Sequence, residues 1–292
     1  MDGGQFLDKV VIVTGASSGI GQQVALTLAD KGTKLTIQGR DQDRLNETLE
    51  QCRKASGKKG NITTVLGDVT ETEVRKALVD KTIQTFGSLD ILISCVGMAF
   101  PSSGIFDETE ETFDIVMNSN LRSVFFLIQY ATPYLEKTKG SIVVVSSVAS
   151  LMPQPQNTVY AMAKNSLNHL VSCLAVELGP KGTFCSFIKI SPSPLSVSVC
   201  IRINTTNPSA TRTRALRTFD QALGMSDFSV MDMSLKMLAS AHPLHGRCAT
   251  VREQSDVIVF LASAQASFVT GQHIYVDGGI CLHMGTPTPK ME

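Results

Sequence analysis

Short apolar runs rich in branched residues alternate with longer stretches of helical period along almost the whole chain. A continuous apolar run is typical of a parallel strand, because such a strand is covered on both faces. The runs fall at residues 9–14, 33–38, 62–67, 90–94, 141–146, 201–206 and 273–276. The amphipathic stretches between them fall at 19–31, 41–55, 71–86, 108–138, 158–179 and 251–263. This alternation predicts an α/β fold, a doubly wound parallel sheet of about seven strands with helices on both faces.

A glycine-rich turn joins the first predicted strand to the first predicted helix. Glycines let the backbone approach a pyrophosphate closely, and a helix N-terminus offers free N–H groups and a positive dipole end. Strand, glycine turn and helix are the context of a Rossmann-like dinucleotide site, although the spacing here is Gly-x-x-x-Gly-x-Gly. The predicted cofactor contacts of this turn are Gly15, Ser17, Ser18, Gly19, Ile20 and Gly21.

A candidate proton-transfer group lies in the fifth helical stretch. Tyr160 and Lys164 are four positions apart, so their side chains project from one face of a helix. An ammonium near a phenol favours the phenolate, so we expect the pKa of Tyr160 to lie below its reference of about 10. Tyr160 would then act as an acid or base near neutral pH. Ser147, at the end of a buried strand, and the glycine turn favour this interpretation over a structural, half-buried tyrosine.

Several segments, in this order and spacing, resemble the short-chain dehydrogenase/reductase family from about residue 8 to residue 282. They are Thr14-Gly-Ala-Ser-Ser-Gly-Ile-Gly21, Gly67-Asp-Val69, Asp90-Ile-Leu-Ile-Ser-Cys-Val-Gly97, Asn120-Leu, Val143-Val-Val-Ser-Ser147, Tyr160-Ala-Met-Ala-Lys164, Ile201-Arg-Ile-Asn-Thr-Thr-Asn-Pro208 and Val276-Asp-Gly-Gly279. The resemblance implies a catalytic tetrad of Asn120, Ser147, Tyr160 and Lys164. It also implies contacts with the cofactor from Asp68, Val69, Gly97, Tyr160, Lys164 and Thr211.

Two departures from the family pattern lie beside the expected cofactor. Ser94-Cys95-Val96-Gly97 stands where the family usually has Asn-Asn-Ala-Gly, so both asparagines are lost while the glycine that faces the ribose remains. Pro208-Ser209 stands where Pro-Gly is usual. A serine at that position would be strained if the backbone needed a positive φ.

The end of the second predicted strand bears on the choice of cofactor. NAD-selecting folds place an acid there to bond the ribose 2′-hydroxyl, whereas a nearby arginine accommodates a 2′-phosphate. Here Gly39 takes the place of the acid and Arg40 follows it. A guanidinium suits phosphate, so NADP(H) is the predicted cofactor. The alternative is a solvated Arg40 that pairs with Asp41 or Asp43.

Composition limits the other classes of function. The 292 residues carry zero formal net charge, and hydrophobic residues make up 43%. We therefore expect one domain over residues 1–292, no nucleic-acid partner and no stable membrane insertion. The seven cysteines are scattered without metal-like spacing, which favours reduced thiols, no metal site and a cytoplasmic location. We also expect a homo-oligomer, a dimer or a tetramer.

One segment is longer than the family pattern requires. Ile201-Arg-Ile-Asn204 matches what normally follows the Lys181-Gly182 turn directly, which leaves residues 183–200 as a surplus of eighteen. Three interpretations stand beside one another. The surplus is a passive loop at the face opposite the active site, or residues 184–190 compete for the strand position, or the segment is a splicing or gene-model artefact.

These patterns together predict an NADP(H)-dependent oxidoreductase that interconverts a carbonyl and an alcohol, with Tyr160 as acid and base. The alternatives are a catalytically silent dinucleotide-binding protein of the same fold and an NAD-linked alcohol dehydrogenase. Segments 98–105, 148–157 and 211–245 should line the substrate pocket, and they contain few fixed charges. An apolar small-molecule carbonyl therefore suits the pocket better than a sugar phosphate.

Overall fold

A computed structural model describes residues 4–57, 61–100, 104–179, 200–226 and 228–283. Seven parallel strands form one sheet in the spatial order β3-β2-β1-β4-β5-β6-β7. The strands are β1 (Val10–Thr14), β2 (Lys34–Gly39), β3 (Ile62–Leu66), β4 (Ile91–Ser94), β5 (Ser141–Val145), β6 (Arg202–Pro208) and β7 (His273–Val276). The predicted doubly wound sheet is confirmed, and all seven strands begin and end within two residues of the predicted ranges.

Helices cover both faces of this sheet. They are α1 (Gly19–Asp30), α2 (Gln42–Ser56), α3 (Thr72–Phe86), α4 (Glu110–Met117), α5 (Ser123–Thr138), α6 (Thr158–Leu178), α7 (Arg217–Ala222), α8 (Ser229–Leu238), α9 (Val251–Ala262) and α10 (Ile280–His283). Local chemistry sets several of their ends. For example, the Asp41 side chain accepts a hydrogen bond from Arg44 N at the start of α2, and Gly57 ends that helix at a φ of 64°.

The hydrophobic core has two layers, one on each face of the sheet. Val11 and Val13 of β1 pack with residues of α1, α2 and α9, whereas Ile12 packs with residues of α3, α5 and α6. Successive strand residues point to opposite faces, so a fully apolar strand serves both layers. Each fully buried aliphatic side chain of this kind stabilises the fold by about 1.5–3 kcal/mol.

The strand order places a crevice at the centre of the sheet. The chain runs from β1 outwards to β3 and then returns to β4 on the other side of β1. In open α/β sheets such a reversal separates the loops that follow the two central strands, and ligands bind there, at the C-terminal strand ends. The glycine turn follows β1, and Gly97 follows β4, so both lie at this reversal.

Two parts of the structure differ from the sequence predictions. Residues 108–138 are not one helix, because a π-helical turn at Asn118–Arg122 separates α4 from α5. Helices α7, α8 and α10 were not predicted, and the first two follow β6.

The predicted surplus segment 183–200 lies outside the described residues except for Cys200. The described residues on either side of it are close together, because Ile201 N donates a hydrogen bond to Leu178 O at 3.1 Å. The sheet position beside β5 is held by Arg202–Pro208.

Candidate active site

A cavity of about 750 Å³ opens at the C-terminal ends of the central strands. The loops after β1 to β6 each contribute to its wall. The predicted site residues that line it are Gly15, Ser17, Ser18, Ile20, Gly21, Arg40, Asp68, Val69, Gly97, Ser147, Tyr160, Lys164 and Thr211. Gly19 and Asn120 are predicted site residues that do not line it, and they lie directly behind its wall.

The glycine turn forms a wall of bare backbone. Gly15 has a φ of +66°, and a Cβ there would lie 2.8 Å from Cys95 O. A Cβ on Gly21 would lie 2.4 Å from Gly15 O, so only glycine allows α1 to pack this close to the turn. The N-cap residue Ser18 makes no side-chain capping bond, which leaves the first N–H groups of α1 available to an anion. These features fit a dinucleotide pyrophosphate.

Gly19 does not line the cavity, because the chain segment that follows β6 lies directly over it. Its φ is +60°, and a Cβ there would lie 2.9 Å from Thr213 Cγ2. The chain that follows β6 therefore passes directly over the glycine turn, so its side chains reach the same cavity as the turn does.

Gln38 connects the glycine turn to the loop after β3, a role that the sequence prediction missed. This buried side chain of β2 accepts from Gly15 N at 3.2 Å and donates to Gly67 O at 2.6 Å. Arg75 of α3 has a similar role and donates to Val69 O at 2.6 Å. A buried polar residue inside an apolar strand, as at Gln38, is the signal that could have identified the first of these contacts.

Tyr160, Lys164 and Ser147 come together at one point of the cavity wall. Lys164 and Tyr160 lie one turn apart on α6, with the Lys164 Nζ 5.6 Å from the centre of the Tyr160 ring. The Lys164 ammonium is buried and donates to Val145 O at 3.1 Å. The Ser147 side chain hydrogen-bonds the Tyr160 phenol. The structure therefore assembles the three side chains that the sequence grouped.

The predicted direction of the Tyr160 pKa is wrong. Burial raises the pKa of the phenol above its ordinary value, and the Ser147 hydrogen bond opposes this only in part. Burial also lowers the pKa of Lys164 to about 8, because the ammonium is removed from water. Tyr160 is therefore a protonated phenol at neutral pH, whereas the Lys164 ammonium begins to lose its proton in mildly alkaline solution.

Asn120 forms hydrogen bonds with the backbone behind Tyr160 and Lys164. It is fully buried in the π-helical turn, where its Nδ2 donates to Met98 O at 2.8 Å and to Val116 O at 2.9 Å. Its Oδ1 accepts from Met98 N at 3.1 Å. A Cβ on Gly97 would lie 3.1 Å from Asn120 Oδ1 and 2.8 Å from Lys164 Nζ. A side chain at position 97 would therefore crowd both the Asn120 amide and the Lys164 ammonium.

The two departures from the family pattern are accommodated without strain. Ser94 is buried in β4, and Cys95 packs against the glycine turn, where burial raises the pKa of its thiol to about 12. Ser209 is not among the described residues with positive φ. The Ser209 hydroxyl lies 3.0 Å from His242 Nε2, and His242 Nδ1 lies 2.7 Å from Leu238 O, so the serine side chain is held by a hydrogen bond to the imidazole.

Arginines gather at the end of the cavity near β2. A Cβ on Gly39 would lie 2.7 Å from Ser17 Cβ, so an acidic side chain at position 39 does not fit this wall. Arg40 pairs with Asp68 at 3.0 Å, rather than with Asp41 or Asp43. Arg44, Arg214 and Arg217 line the same cavity and were not predicted. The sequence signal for the last two is Thr211-Arg-Thr-Arg-Ala-Leu-Arg217, a dense basic run after β6.

Neither a metal-binding group nor a membrane-spanning helix occurs among the described residues. These residues contain no group of three or more His, Cys, Asp or Glu side chains able to hold a metal ion. Their cysteines are free thiols. None of the described helices has the length and apolar character needed to span a bilayer.

A buried glycine turn at the reversal of a parallel sheet, with a tyrosine and a lysine beside it, defines a dinucleotide-binding oxidoreductase. Comparisons with known proteins agree. The profile of a family described as enoyl-(acyl carrier protein) reductase matches residues 15–281. The chain belongs to the short-chain dehydrogenase/reductase family and is an NAD(P)-dependent dehydrogenase/reductase.

Several relatives match along nearly their whole length. Glucose 1-dehydrogenase of Gluconobacter oxydans is 33% identical over 96% of this chain and 94% of the relative. The 3-oxoacyl-(acyl-carrier-protein) reductase FabG of Thermotoga maritima is 30% identical over 94% and 98%. A solved short-chain dehydrogenase/reductase of unknown function from Caenorhabditis elegans, with cofactor, is 29% identical with a TM-score of 0.83, over 96% and 98%.

Proposed function

We propose that this protein is an NADP(H)-dependent oxidoreductase that interconverts a carbonyl and an alcohol, with Tyr160 as the acid and base. The observation that carries the proposal is the meeting of Ser147, Tyr160 and Lys164 in the same cavity as the glycine turn. The cavity of about 750 Å³ leaves room for a dinucleotide together with a small substrate.

The catalytic roles follow from the surroundings of each group. The bound cofactor would supply or accept the hydride. In the reductive direction the Tyr160 hydroxyl donates its proton to the carbonyl oxygen, and its raised pKa keeps that proton available at neutral pH. The Ser147 hydrogen bond and the nearby Lys164 ammonium then stabilise the phenolate that remains. Asn120 positions the Met98 backbone and the wall beside Lys164.

NADP(H) is favoured over NAD(H) by the wall around β2. Ser17 fills the space that an acidic side chain at position 39 would need. Arg40 stands next to it with its guanidinium held toward the cavity by Asp68. A fixed guanidinium at this place supports recognition of a 2′-phosphate.

The substrate end of the cavity supports a neutral, largely apolar carbonyl compound. Its lining includes the apolar side chains of Met152, Met231, Leu238 and Ile280. The polar groups near them are uncharged and include Gln154, Gln156, Asn157 and Ser234. A sugar phosphate would find no charged partner among these residues, whereas the amides could bond one or two hydroxyl groups of a neutral substrate.

The test is turnover of a carbonyl panel by wild-type protein and by Tyr160→Phe. The panel contains apolar ketones, aldehydes and one neutral aldose. We expect wild-type protein to oxidise NADPH with at least one of them, and the loss of NADPH absorbance measures this reaction. Tyr160→Phe should lose at least about 100-fold in kcat, because it lacks the proton donor. Its Kd for NADPH should change by less than about threefold, since the ring remains.

Tyr134→Phe on α5 is the matched control, because that tyrosine lies outside the cavity. It should turn over like the wild-type protein. Retention of more than about a tenth of the wild-type kcat by Tyr160→Phe would overturn the assignment of the proton donor. An absence of turnover across the panel, despite tight NADPH binding, would favour the silent dinucleotide-binding alternative.

We further propose that the whole chain forms a single domain, works as a homo-oligomer, a dimer or a tetramer, and resides in the cytoplasm. Multi-angle light scattering of the purified chain measures its mass directly, and cell fractionation locates it. Several apolar side chains on the described surface, including Phe125 and Phe268, support self-association because exposed apolar area favours a partner surface.

A further inference from the structure

Four guanidinium groups surround the end of the cavity near β2. Arg40 follows β2 and Arg44 lies in the first turn of α2. Arg214 belongs to a 3-10 turn after β6, and Arg217 begins α7. All four side chains line the same cavity, so the cluster is built from two separate parts of the chain.

Arg40 and Arg44 each form an ion pair with a carboxylate. Arg40 lies 3.0 Å from Asp68, and Arg44 lies 2.8 Å from Asp41. These pairs neutralise the side of the cluster that is built from β2, α2 and the loop after β3. The other side of the cluster, after β6, contributes Arg214 and Arg217, and the negative charge of Asp41 also acts on both of these guanidiniums.

Arg217 is the most informative member of the cluster. Within the described residues it forms no ion pair shorter than 4.0 Å, and its side chain is half-buried. Burial and the positive charges of Arg40, Arg44 and Arg214 lower the pKa of its guanidinium, and the negative charge of Asp41 offsets this only in part. A half-buried cation among like charges is unfavourable unless an anion occupies the space between them.

We propose that Arg217 is a specificity-determining residue that binds the ribose 2′-phosphate of NADP(H) from the side of the cavity opposite Arg40. The proposal rests on the proposed function, since it assigns this end of the cavity to the adenosine ribose. A phosphate placed among the four guanidiniums would receive charge-assisted hydrogen bonds from both parts of the chain. It would also relieve the repulsion between Arg217 and its neighbours.

Arg217 also lies on the chain segment that leads to the substrate end of the cavity. Arg217 lies between Ser209, next to β6, and α8, which supplies Met231 and Leu238 to the substrate end. A phosphate held by Arg217 would therefore help to fix the chain segment that forms the substrate wall.

The test is direct binding, measured by calorimetry, of NADP⁺, NAD⁺, 2′-AMP and 5′-AMP to wild-type protein and to Arg217→Gln. Arg217→Gln should raise the Kd for NADP⁺ and for 2′-AMP about tenfold or more. The Kd for NAD⁺ and for 5′-AMP should change less than about twofold, because neither ligand carries the 2′-phosphate. An equal loss of affinity for NADP⁺ and NAD⁺, or an unchanged affinity for both, would overturn the proposal.

Arg212→Gln is the matched control. Arg212 lies on the same segment, pairs with Asp232 at 2.8 Å and does not line this cavity. Its removal should leave the ratio of the two cofactor affinities unchanged. If Arg217→Gln does not fold, Arg217→Lys carries the test, since it keeps the charge and loses the planar fork. If Arg217→Lys loses affinity about threefold or more for NADP⁺ alone, the proposal is supported, and an unchanged Kd for NADP⁺ overturns it.

The outcomes separate this inference from the proposed cofactor. If wild-type protein binds NADP⁺ no better than NAD⁺, the NADP(H) assignment fails and the role of Arg217 fails with it. If wild-type protein prefers NADP⁺ and Arg217→Gln keeps the same preference, only the role of Arg217 is overturned.

Discussion

At the scale of single residues, burial decides the protonation of the catalytic pair. Proximity of Lys164 to Tyr160 suggested a phenol of lowered pKa, but both groups are removed from water. Desolvation disfavours each charged form, so the pKa of Tyr160 rises and that of Lys164 falls to about 8. The pair is therefore poised as a neutral acid beside a cation that is easily deprotonated.

This pair predicts the pH dependence of carbonyl reduction. The ammonium of Lys164 is present below its pKa of about 8 and is lost as the pH rises through that value, whereas Tyr160 stays protonated over the same range. The wild-type kcat/KM for NADPH should therefore fall above a pH of about 8. Lys164→Met should have a kcat/KM lower by at least about tenfold and no decline in this range.

Lys81→Met is the control for this profile, because Lys81 is an exposed residue of α3 that donates to Thr64 O at 2.8 Å, away from the cavity. It should reproduce the wild-type curve. A Lys164→Met profile with the same alkaline decline as the wild-type protein would show that another group causes it.

At the scale of secondary structure, the π-helical turn is the element that positions the site. It interrupts what the sequence predicted as one helix over 108–138 and turns Asn120 toward Met98. Single π-helical turns of this kind are frequent at functional sites. Its three side-chain hydrogen bonds satisfy the part-buried N–H and C=O groups of Met98 and the buried C=O group of Val116.

Removal of these hydrogen bonds should be costly. Asn120→Ala leaves the Met98 N–H and C=O groups without their side-chain partner, so we expect a loss of about 2–4 kcal/mol in the free energy of unfolding. The kcat should fall as well, because Gly97 and Lys164 share this wall. Urea unfolding followed by circular dichroism measures the first quantity.

Asn46→Ala, on the exposed face of α2, removes an asparagine amide that water can replace. It should change the free energy of unfolding by less than about 0.5 kcal/mol. A similarly small change in Asn120→Ala would contradict the positioning role.

The local sequence signal of each element decides whether it could be predicted from the sequence. The strands carry continuous branched apolar runs, a signal that depends only on burial of both sheet faces, and motifs at strand ends meet because the strands are parallel. The π-helical turn depends instead on tertiary hydrogen bonds to Met98, which no local pattern reports. Helix α7 has six residues, too few to show a helical period, whereas α8 does carry an apolar face that the sequence prediction missed in a segment assigned only to the pocket lining.

At the scale of the whole molecule, the surplus segment 183–200 is the feature that the family pattern does not explain. Leu178 and Ile201 are joined by a backbone hydrogen bond of 3.1 Å, so the fold needs only a short connection between α6 and β6. That connection lies at the N-terminal end of β6, whereas the cavity lies at the C-terminal strand ends. We therefore propose that the segment is dispensable for binding and catalysis.

Deletion of residues 183–200 tests this proposal. It shortens the connection between Leu178 and Ile201 from twenty-two residues to four, which lowers the cost of closing the loop by about 1.5 kcal/mol. The Tm should hold or rise by a few degrees, and the Kd for NADPH should stay within about threefold, because no cavity residue moves.

Replacement of the same eighteen residues by a Gly/Ser segment of equal length is the control, and it should match the wild-type protein in both quantities. A large loss of Tm or of NADPH affinity in both variants would show that the segment contributes specific contacts. The same loss in the deletion alone would show that four residues are too few to span the gap. The first result would replace a passive loop by a structural part of the fold, and the second would show that the segment is needed as a spacer and is not dispensable.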